Sequence, residues 1–327
     1  MKGRPRVVKW TALVLTIGIL VVLYLHVDLR SMGQRLAEVH PLYFSIALSF
    51  FLPQFLVTSI RWRMMVAGIH PLTLWESVKM VMAAKAFNAL VPAKLGELSK
   101  AYFLNRGGNA DTPQSVSTVI LEKILDMGGL CSVLLCGAIF LPERDEAVWS
   151  GVLVAGIVIS GVLFLLFVPL LGVASRLENR GERGRRLSRL LAGWHTVLSM
   201  WRAGRTTLPM ILSLSVLLWG LHVAQIYMFF PSLRHPVPLI PALALIPLAI
   251  LVGVIPITIG GMGTRDSVLI LLFAPYADAA TMAGIGLLCS MRYWVDTLLG
   301  IPFFHRYTRH LRRSRADDST GDLSSSR

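Results

Sequence analysis

The segment "IPITIGGMGTRD", residues 255–266, interrupts one of the most apolar parts of the chain. It follows "LIPALALIPLAILVGV" and precedes "SVLILLF". A helix that crosses a lipid bilayer without interruption has no use for Pro256, for three closely spaced glycines, or for the charge pair Arg265–Asp266. Because proline ends a helix and glycine lets the backbone turn sharply, the segment predicts a break between two helices. Irregular backbone at membrane depth is tolerated only where protein or a watery cavity covers it.

The rest of the sequence has the composition of an integral membrane protein. Of its 327 residues, 54% are hydrophobic and only 15% are charged, whereas about 25% of the residues in soluble domains are charged. Several apolar runs reach the roughly 20 residues that cross a bilayer as a helix. We therefore predict an all-α integral membrane protein with about six full spans, at residues 9–27, 42–60, 116–141, 150–171, 208–230 and 281–303.

The net charge of +14 is distributed in a way that indicates membrane orientation rather than nucleic-acid binding. Basic residues concentrate before the first span, in the arginine-rich loop 174–206 and at 306–315, whereas 142–149 is acidic. The positive-inside rule then predicts that both termini and the 174–206 loop are cytoplasmic, in a multi-pass protein of the inner (cytoplasmic) membrane. The polar tail, 316–327, has a composition that predicts disorder.

The same topology predicts that two interrupted apolar segments, 78–106 and 239–274, are re-entrant helical hairpins. The first must begin and end inside, and the second must begin and end outside. Each half of the chain then consists of span, span, hairpin and span, in opposite orientations. Inverted repeats of this kind are typical of transporters. In this chain they would cover about 9–141 and 150–303 of a single polytopic domain, residues 1–315.

Short motifs support the repeat. The first hairpin contains "LVPAKLGELSK" (90–100) and the second contains "VIPITIGGMGTRD" (254–266). In each, a hydrophobic pair precedes a proline, a glycine follows four residues later, and charge comes next. The span after each hairpin carries a cation shortly before an acid, with Lys123 and Asp126 in one and Arg292 and Asp296 in the other.

The breaks would expose the N-termini of half-helices to a polar interior. Such ends attract anions through their unpaired N–H groups and the helix dipole. Arg265 adds a planar guanidinium suited to phosphate, and Lys94 adds a second cation in the first hairpin. The sequence thus predicts an anion site between the hairpins, open in turn to both sides. Its candidate substrate-binding residues are Lys94, Gly96, Glu97, Glu122, Lys123, Asp126, Gly260, Gly261, Gly263, Arg265, Asp266, Arg292 and Asp296.

These charged candidates also have a purely structural interpretation. Charge inside a span is by default a functional hypothesis, but Asn88 and Tyr293 are weaker candidates and His222 is expected to serve packing. Neighbouring opposite charges can simply pair along a helix. The pairs open to this interpretation are Arg265 with Asp266, Lys94 with Glu97, Lys123 with Asp126, and Arg292 with Asp296.

No cofactor, metal site or catalytic residue is predicted. The three cysteines, Cys131, Cys136 and Cys289, lie inside apolar spans and lack the spacing of metal ligands. A lipid-phosphate transferase would need metal-binding carboxylates, a nucleophile or a donor-binding domain. The chain has no Asp-x-x-Asp pair, no histidine cluster, and no soluble segment large enough for a nucleotide domain.

Three motifs together resemble the lysylphosphatidylglycerol synthase/flippase transmembrane family. The segments "VPAKLGELSKAYFL", "VILEKILDMGGL" and "IPITIGGMGTRDSVL" are similar to that family's Pro-x-x-x-Gly-Glu, Glu-Arg-x-x-Asp and Gly-Gly-x-Gly-x-Arg-Glu motifs. The resemblance covers about 9–303, with Lys123 where Arg is common and Asp266 where Glu is common. The aminoacyl-transferase domain of bifunctional members does not follow in this sequence. The resemblance therefore implies a stand-alone, flippase-like protein rather than an enzyme.

The expected function is translocation of an anionic phospholipid or a polyprenyl-phosphate-linked lipid across the bilayer. Acids such as Glu97 and Asp126 would balance the cations or carry protons for coupling. Two alternatives stay open. One is an intramembrane lipid-phosphate transferase, and the other is a structural partner of enzymes of envelope biosynthesis.

Overall fold

A computed structural model describes residues 4–25, 27–90, 96–106, 111–141, 146–168, 171–178, 181–204, 207–255, 258 and 261–324. Throughout these ranges the regular structure is helical and no strand occurs, so the all-α prediction is confirmed. The helices are α1 (Arg4–Leu25), α2 (Leu29–Ala37), α3 (Pro41–Ser49), α4 (Phe51–Val66), α5 (Leu74–Leu90), α6 (Ser99–Arg106), α7 (Thr112–Ile139), α8 (Glu146–Phe167), α9 (Leu171–Glu178), α10 (Gly181–Ala203), α11 (Thr207–Ser232), α12 (Leu239–Val254), α13 (Thr264–Leu272) and α14 (Ala279–Ser324).

Three helical stretches in the described part of the chain are long and apolar enough to cross a membrane on their own. They are α3 with α4 (Pro41–Val66), α8 and α11, and the bent pair formed by α1 and α2 would be a fourth. The surface of α8 is strongly apolar, with Leu153 and Ile157 about two-thirds exposed, as a lipid-facing helix requires. These features are those of an integral membrane protein. The count of six full spans stays a prediction.

Both interrupted segments are helix pairs with a break, as the prolines and glycines predict. α5 and α6 flank the first break, and α12 and α13 flank the second. Pro92, Lys94, Pro256 and Gly260 lie outside the described residues. In the second break, Gly261 and Gly263 have φ angles of +76° and +89°, which L-residues with a side chain rarely adopt.

The first arm of each pair packs against the last long helix of the other half of the chain. α5 lies along α14, and α12 lies along α7. Both contacts depend on glycine: a Cβ on Gly300 would lie 2.5 Å from the Met82 carbonyl oxygen, and a Cβ on Gly137 would lie 2.5 Å from that of Leu243. Small residues allow this close backbone approach between membrane helices.

The largest apolar core among the described residues includes both helices that flank the second break. It joins Phe229 of α11, Ile246 of α12, Phe273 beyond α13 and Ile285 of α14. A separate core, which contains Trp194 and Trp201, packs α10 against α7 and α11. The arginine-rich loop, 174–206, is largely helical because α9 and α10 cover most of it.

The last helix extends into the C-terminal tail, whose disorder stays a prediction. α14 continues as a helix to Ser324 and includes residues 316–324, for which the composition predicts disorder. Continuation of a helix needs only local backbone hydrogen bonds, so a polar tail can extend a helix that begins in the bundle. Residues 325–327 lie outside the described part of the chain.

Candidate functional site

Six charged side chains form a buried network between α4, α6 and α7, which we call the inner charge cluster. Three carry positive charge and three carry negative charge. They come from the end of α4, from the turn that leads into α6, from α6 itself and from the middle of α7. The members are Arg61, Glu97, Lys100, Glu122, Lys123 and Asp126.

Glu122 and Arg61, both almost fully buried, form the centre of the inner charge cluster. Lys100 Nζ lies 2.9 Å from each carboxylate oxygen of Glu122. Arg61 Nη2 lies 3.4 Å from Glu122 Oε1 and 2.6 Å from Asp126 Oδ1. Arg61 Nη1 also donates to Ser215 Oγ of α11 at 2.9 Å. Each buried charge thus has an opposite partner, which offsets the cost of removing it from water.

The edge of the cluster is more open. Glu97 lies 2.5 Å from Lys100 Nζ and accepts a hydrogen bond from Asn88 Nδ2 at 3.0 Å. Lys123 pairs with Asp126 at 3.2 Å, while its side chain is 46% exposed. Lys123 is therefore the cluster cation that an incoming anion can reach with the least rearrangement.

Sequence reasoning missed two members of the cluster. Arg61 directly follows the apolar run 42–60, which suggests a flanking cytoplasmic residue rather than a buried one. Lys100 is three residues from Glu97, a spacing that predicts pairing on a helix. A search for charges at the ends of spans whose helical neighbours are apolar would have identified Arg61.

The second group contains Arg265 and Asp266 at the start of α13. Arg265 donates to Asp266 Oδ1 from Nε at 2.8 Å and from Nη2 at 2.6 Å. Its Nη2 also donates to the Gly286 carbonyl at 3.0 Å. Asp266 Oδ2 in turn accepts the backbone N–H of Gly263 at 3.1 Å. The carboxylate of Asp266 thus occupies the helix N-terminus where the sequence predicts a ligand anion.

Glycines near this pair contact protein rather than leaving space for a ligand. A Cβ on Gly261 would lie 2.6 Å from the Gly253 carbonyl oxygen, and one on Gly286 would lie 2.8 Å from Asp266 Cγ. The same holds in the first break, where a Cβ on Gly96 would overlap the Asn88 backbone nitrogen. These glycines let the broken helices fold back closely on their neighbours.

The third group surrounds Arg292 in the middle of α14. Its Nη1 donates to Gln225 Oε1 at 2.9 Å and lies 3.3 Å from His222 Nδ1. Its Nη2 lies 3.4 Å from the Tyr293 hydroxyl. The alternative pairing of Arg292 with Asp296 is not found, because Asp296 instead accepts from Lys85 of α5 at 2.6 Å. The close packing of α5 on α14 brings Lys85 to this position.

The structure thus separates the candidate residues into three groups rather than one cavity. The inner charge cluster and the Arg292 group lie at different levels of the bundle. Arg61 of the cluster is seven residues from Gln54 on α4, and its partner Ser215 is seven residues from His222 on α11. Seven residues correspond to about 10 Å along each helix. The second and third groups adjoin, since Arg265 Nη2 donates to Ser290 Oγ at 3.2 Å and Arg292 follows two residues later on α14. The polar groups therefore form successive layers through the interior of the bundle. Lys94 and Gly260 lie outside the described residues.

An all-helical bundle with apolar outer helices, two broken helix pairs and layered internal charges is a polytopic membrane protein with a polar interior. The family description "Lysylphosphatidylglycerol synthase TM region" matches residues 9–300, and the chain belongs to this family. The resemblance drawn from the three motifs is therefore confirmed. Membership indicates a role related to membrane lipids.

Curated relatives carry names that state their location only. A UPF0104 membrane protein of Methanothermobacter thermautotrophicus is 23% identical over 250 residues, or 69% of this chain and 74% of the relative. A UPF0104 membrane protein of Methanocaldococcus jannaschii is 27% identical over 186 residues, or 56% of this chain and 76% of the relative. No solved structure matches the chain.

Proposed function

We propose that this protein is a transporter that moves an amphiphilic anion between the leaflets of the cell's inner membrane without changing it chemically. The substrate is an anionic phospholipid or a polyprenyl-phosphate-linked lipid. The observation that carries the proposal is the series of buried charged and polar layers inside a helical membrane bundle. In this proposal the chain is not an enzyme.

The physical reason is the cost of bringing a charged headgroup into hydrocarbon. That cost makes spontaneous movement between leaflets slow, and it falls when fixed polar groups replace the lost water. Charge-assisted hydrogen bonds to phosphate are among the stronger kinds. A headgroup that moves past Lys123, then Arg292, would meet a cation at each level while its chains stay in lipid.

Reciprocal packing supports the inverted repeats on which alternating access depends. If the two halves are related by an approximate two-fold axis in the membrane plane, the contact of α5 with α14 corresponds to that of α12 with α7. Both contacts are present, and each uses a glycine at its closest point. Transporters with inverted repeats alternate their access by moving such units against each other.

In such a repeat α4 would correspond to α11, and these two helices contact each other. Gln54 Nε2 donates to Gln225 Oε1 at 3.1 Å and to the Leu221 carbonyl at 3.2 Å. Gln225 Nε2 donates to the Ala47 carbonyl at 2.9 Å. Each glutamine thus bonds the backbone of the opposite helical segment, a reciprocal contact of the kind that two-fold relations produce.

The proposal includes a six-span topology with two re-entrant pairs and cytoplasmic termini. The basis is the distribution of arginine, which concentrates in α10 and in the segment after the last span. In α10, Arg183, Arg185 and Arg189 are exposed. Such residues on the cytoplasmic side contact anionic headgroups.

An apolar groove of about 610 Å³ beside α13 suits one hydrocarbon chain of the substrate. Its wall runs along α1 from Val14 to Leu23 and includes Ser267 of α13 and Ala279 of α14. A rise of 1.5 Å per residue makes this helical wall about 14 Å long. Gly18 lines it, with open space around the position of a missing Cβ.

Transport in reconstituted vesicles tests the proposal. Protein in phosphatidylcholine vesicles with fluorescent phosphatidylglycerol should make inner-leaflet label accessible to an external quencher faster than empty vesicles do. The recovered lipid should have an unchanged mass. A modified lipid would instead establish a transferase. Equal rates with and without protein, for this lipid and also for a fluorescent polyprenyl phosphate, would leave a structural partner of an envelope enzyme as the remaining class.

The groove provides a matched pair of variants for the same assay. Gly18→Phe fills the groove, while Gly156→Phe adds the same side chain on α8, where the surroundings are also open. We expect slower transport only for Gly18→Phe. Equal rates for the two variants would exclude the groove from the path of the hydrocarbon chain.

A further inference from the structure

Arg292 differs from the other deeply buried cations in its partners. Arg61, Lys100 and Arg265 each have a carboxylate oxygen within 4 Å. Arg292, with only 8% of its surface exposed, has no carboxylate at that distance among the residues that the structure describes. A buried charge held only by neutral groups is costly unless something else compensates it.

We propose that Arg292, with Gln225, His222 and Tyr293, is the subsite that binds the phosphate of the transported lipid. The inference rests on the proposed function for the identity of the ligand as a lipid. The binding chemistry itself requires only an anionic phosphate oxygen. The sequence prediction placed this role at Arg265, whose charge Asp266 already neutralises.

The guanidinium of Arg292 retains hydrogen-bonding capacity. An arginine side chain has five N–H donors, and Arg292 has three neutral neighbours within hydrogen-bonding distance, at His222, Gln225 and Tyr293. Donors therefore remain for a ligand. A planar guanidinium with free donors in fork geometry is well suited to phosphate.

The guanidinium adjoins a small polar cavity at the crossing of α4, α11 and α14. The cavity measures about 20 Å³, which is room for about one water-sized atom, such as a single phosphate oxygen. Its wall contains polar side chains from all three helices beside the apolar Phe51. The polar wall residues are Gln54, His222, Gln225, Arg292, Tyr293 and Asp296.

The glutamine pair holds the site in place before any ligand arrives. Gln225 Oε1 accepts from both Arg292 and Gln54, while its own amide is fixed to the Ala47 carbonyl. The side chain of Gln225 therefore cannot turn its amide towards Arg292 without losing all three hydrogen bonds. Preorganisation of this kind lowers the entropy cost of binding.

The ion pair between Lys85 and Asp296 keeps Arg292 free of a counter-ion. Asp296 lies one helical turn from Arg292 and could pair with it on α14. Lys85 from α5 binds the carboxylate of Asp296 instead, at 2.6 Å. Removal of Lys85 should therefore release Asp296 to neutralise Arg292 and compete with phosphate.

Lipid retention measured by native mass spectrometry of the full-length protein tests the subsite without a transport assay. The protein is equilibrated in detergent with equal amounts of phosphatidylglycerol and phosphatidylcholine. We expect the wild type to prefer the anionic lipid, Arg292→Gln to lose that preference at least tenfold, and Arg292→Lys to retain part of it. Arg35→Gln, which removes an arginine already paired with Asp278, is the control and should match the wild type.

A second set of variants leaves Arg292 in place and so does not depend on how Arg292→Gln folds. Lys85→Gln should reduce the anionic preference, and adding Asp296→Asn should restore it, because no acid then competes for Arg292. An unchanged preference in both Arg292→Gln and Lys85→Gln would overturn the subsite. A wild-type protein that prefers the anionic lipid but moves none would refute only the proposed function.

Discussion

Arg265 and Arg292 are both buried in the same helical bundle, on adjoining elements, and both were candidates for binding an anion. Arg265 is 3% exposed and donates twice to Asp266, its neighbour in sequence. Among the residues that the structure describes, Arg292 hydrogen-bonds to the side chains of His222, Gln225 and Tyr293 and to no carboxylate. The difference shows that burial of an arginine does not by itself identify a binding site. The identity of its partners decides whether any charge remains for a ligand.

The partners also determine what each arginine does for the fold. Arg265 connects the start of α13 to α14 through the Gly286 carbonyl and Ser290 Oγ, while Asp266 caps α13. The pair therefore fixes the geometry of the break. Arg292 has no carboxylate within 4 Å among the described residues, so we expect it to contribute less to stability than Arg265 does.

The largest effect that the comparison predicts is the loss of stability in Arg265→Gln. The change leaves the buried Asp266 carboxylate without its cation, and removing one partner of a buried pair costs about 3–5 kcal/mol. We expect a marked fall in melting temperature in detergent, measured by intrinsic fluorescence. The double variant Arg265→Gln with Asp266→Asn should recover part of the loss. If Arg265→Gln alone is as stable as the wild type, Asp266 must find another partner in that variant.

A smaller effect should follow from separating α5 and α14. In Gly300→Ala the new Cβ would lie 2.5 Å from the Met82 carbonyl oxygen, and overpacking of this kind costs about 1–3 kcal/mol. The displacement of α5 from α14 should also weaken the Lys85–Asp296 pair and so reduce the preference for anionic lipid.

Gly220→Ala in α11 is the matched control, because nothing lies within 4 Å of the position of its Cβ. It should be neutral or slightly stabilising, since alanine favours a helix over glycine. Gly300→Ala could instead have the same melting temperature as the control and an unchanged preference for anionic lipid. In that case the contact between α5 and α14 is not what keeps Asp296 away from Arg292.

Arg292→Gln should change stability by no more than about 1 kcal/mol, since its partners are neutral and the lost charge carried an uncompensated desolvation cost. The melting temperature should therefore stay close to that of the wild type while phosphatidylglycerol retention falls. The opposite pattern, a protein that melts early and retains its lipid preference, would mean that Arg292 braces the fold as Arg265 does.

The sequence predicted the elements of this structure better than the partners of its charges. Apolar runs and the Pro and Gly breaks are local signals, so the helices and both interruptions could be predicted. Ion pairing depends on which helices meet. Asp296 has Arg292 one turn away on its own helix, yet it pairs with Lys85, 211 residues distant. Arg61 likewise meets Glu122 and Asp126 only because its long side chain reaches from α4 to α7.

The smallest effect expected concerns the ion pair between Arg35 and Asp278, which lies outside the predicted spans and contrasts with both buried arginines. Partial burial alone raises the pKa of Asp278, but hydrogen bonds from Thr281 and the Arg35 charge outweigh it, so this pKa lies below its usual value of 3.8. A carboxyl group whose pKa is lowered by folding stabilises the folded state above the unfolded pKa, and this contribution disappears as the pH falls below about 4. Because the Asp278 side chain is 48% exposed, solvent screening limits the contribution to less than about 1 kcal/mol. The difference in melting temperature between wild type and Asp278→Asn should therefore be small at pH 7 and shrink further as the pH falls below about 4. A large difference at pH 7 would mean that this surface pair is coupled to the packing of α2 on α14.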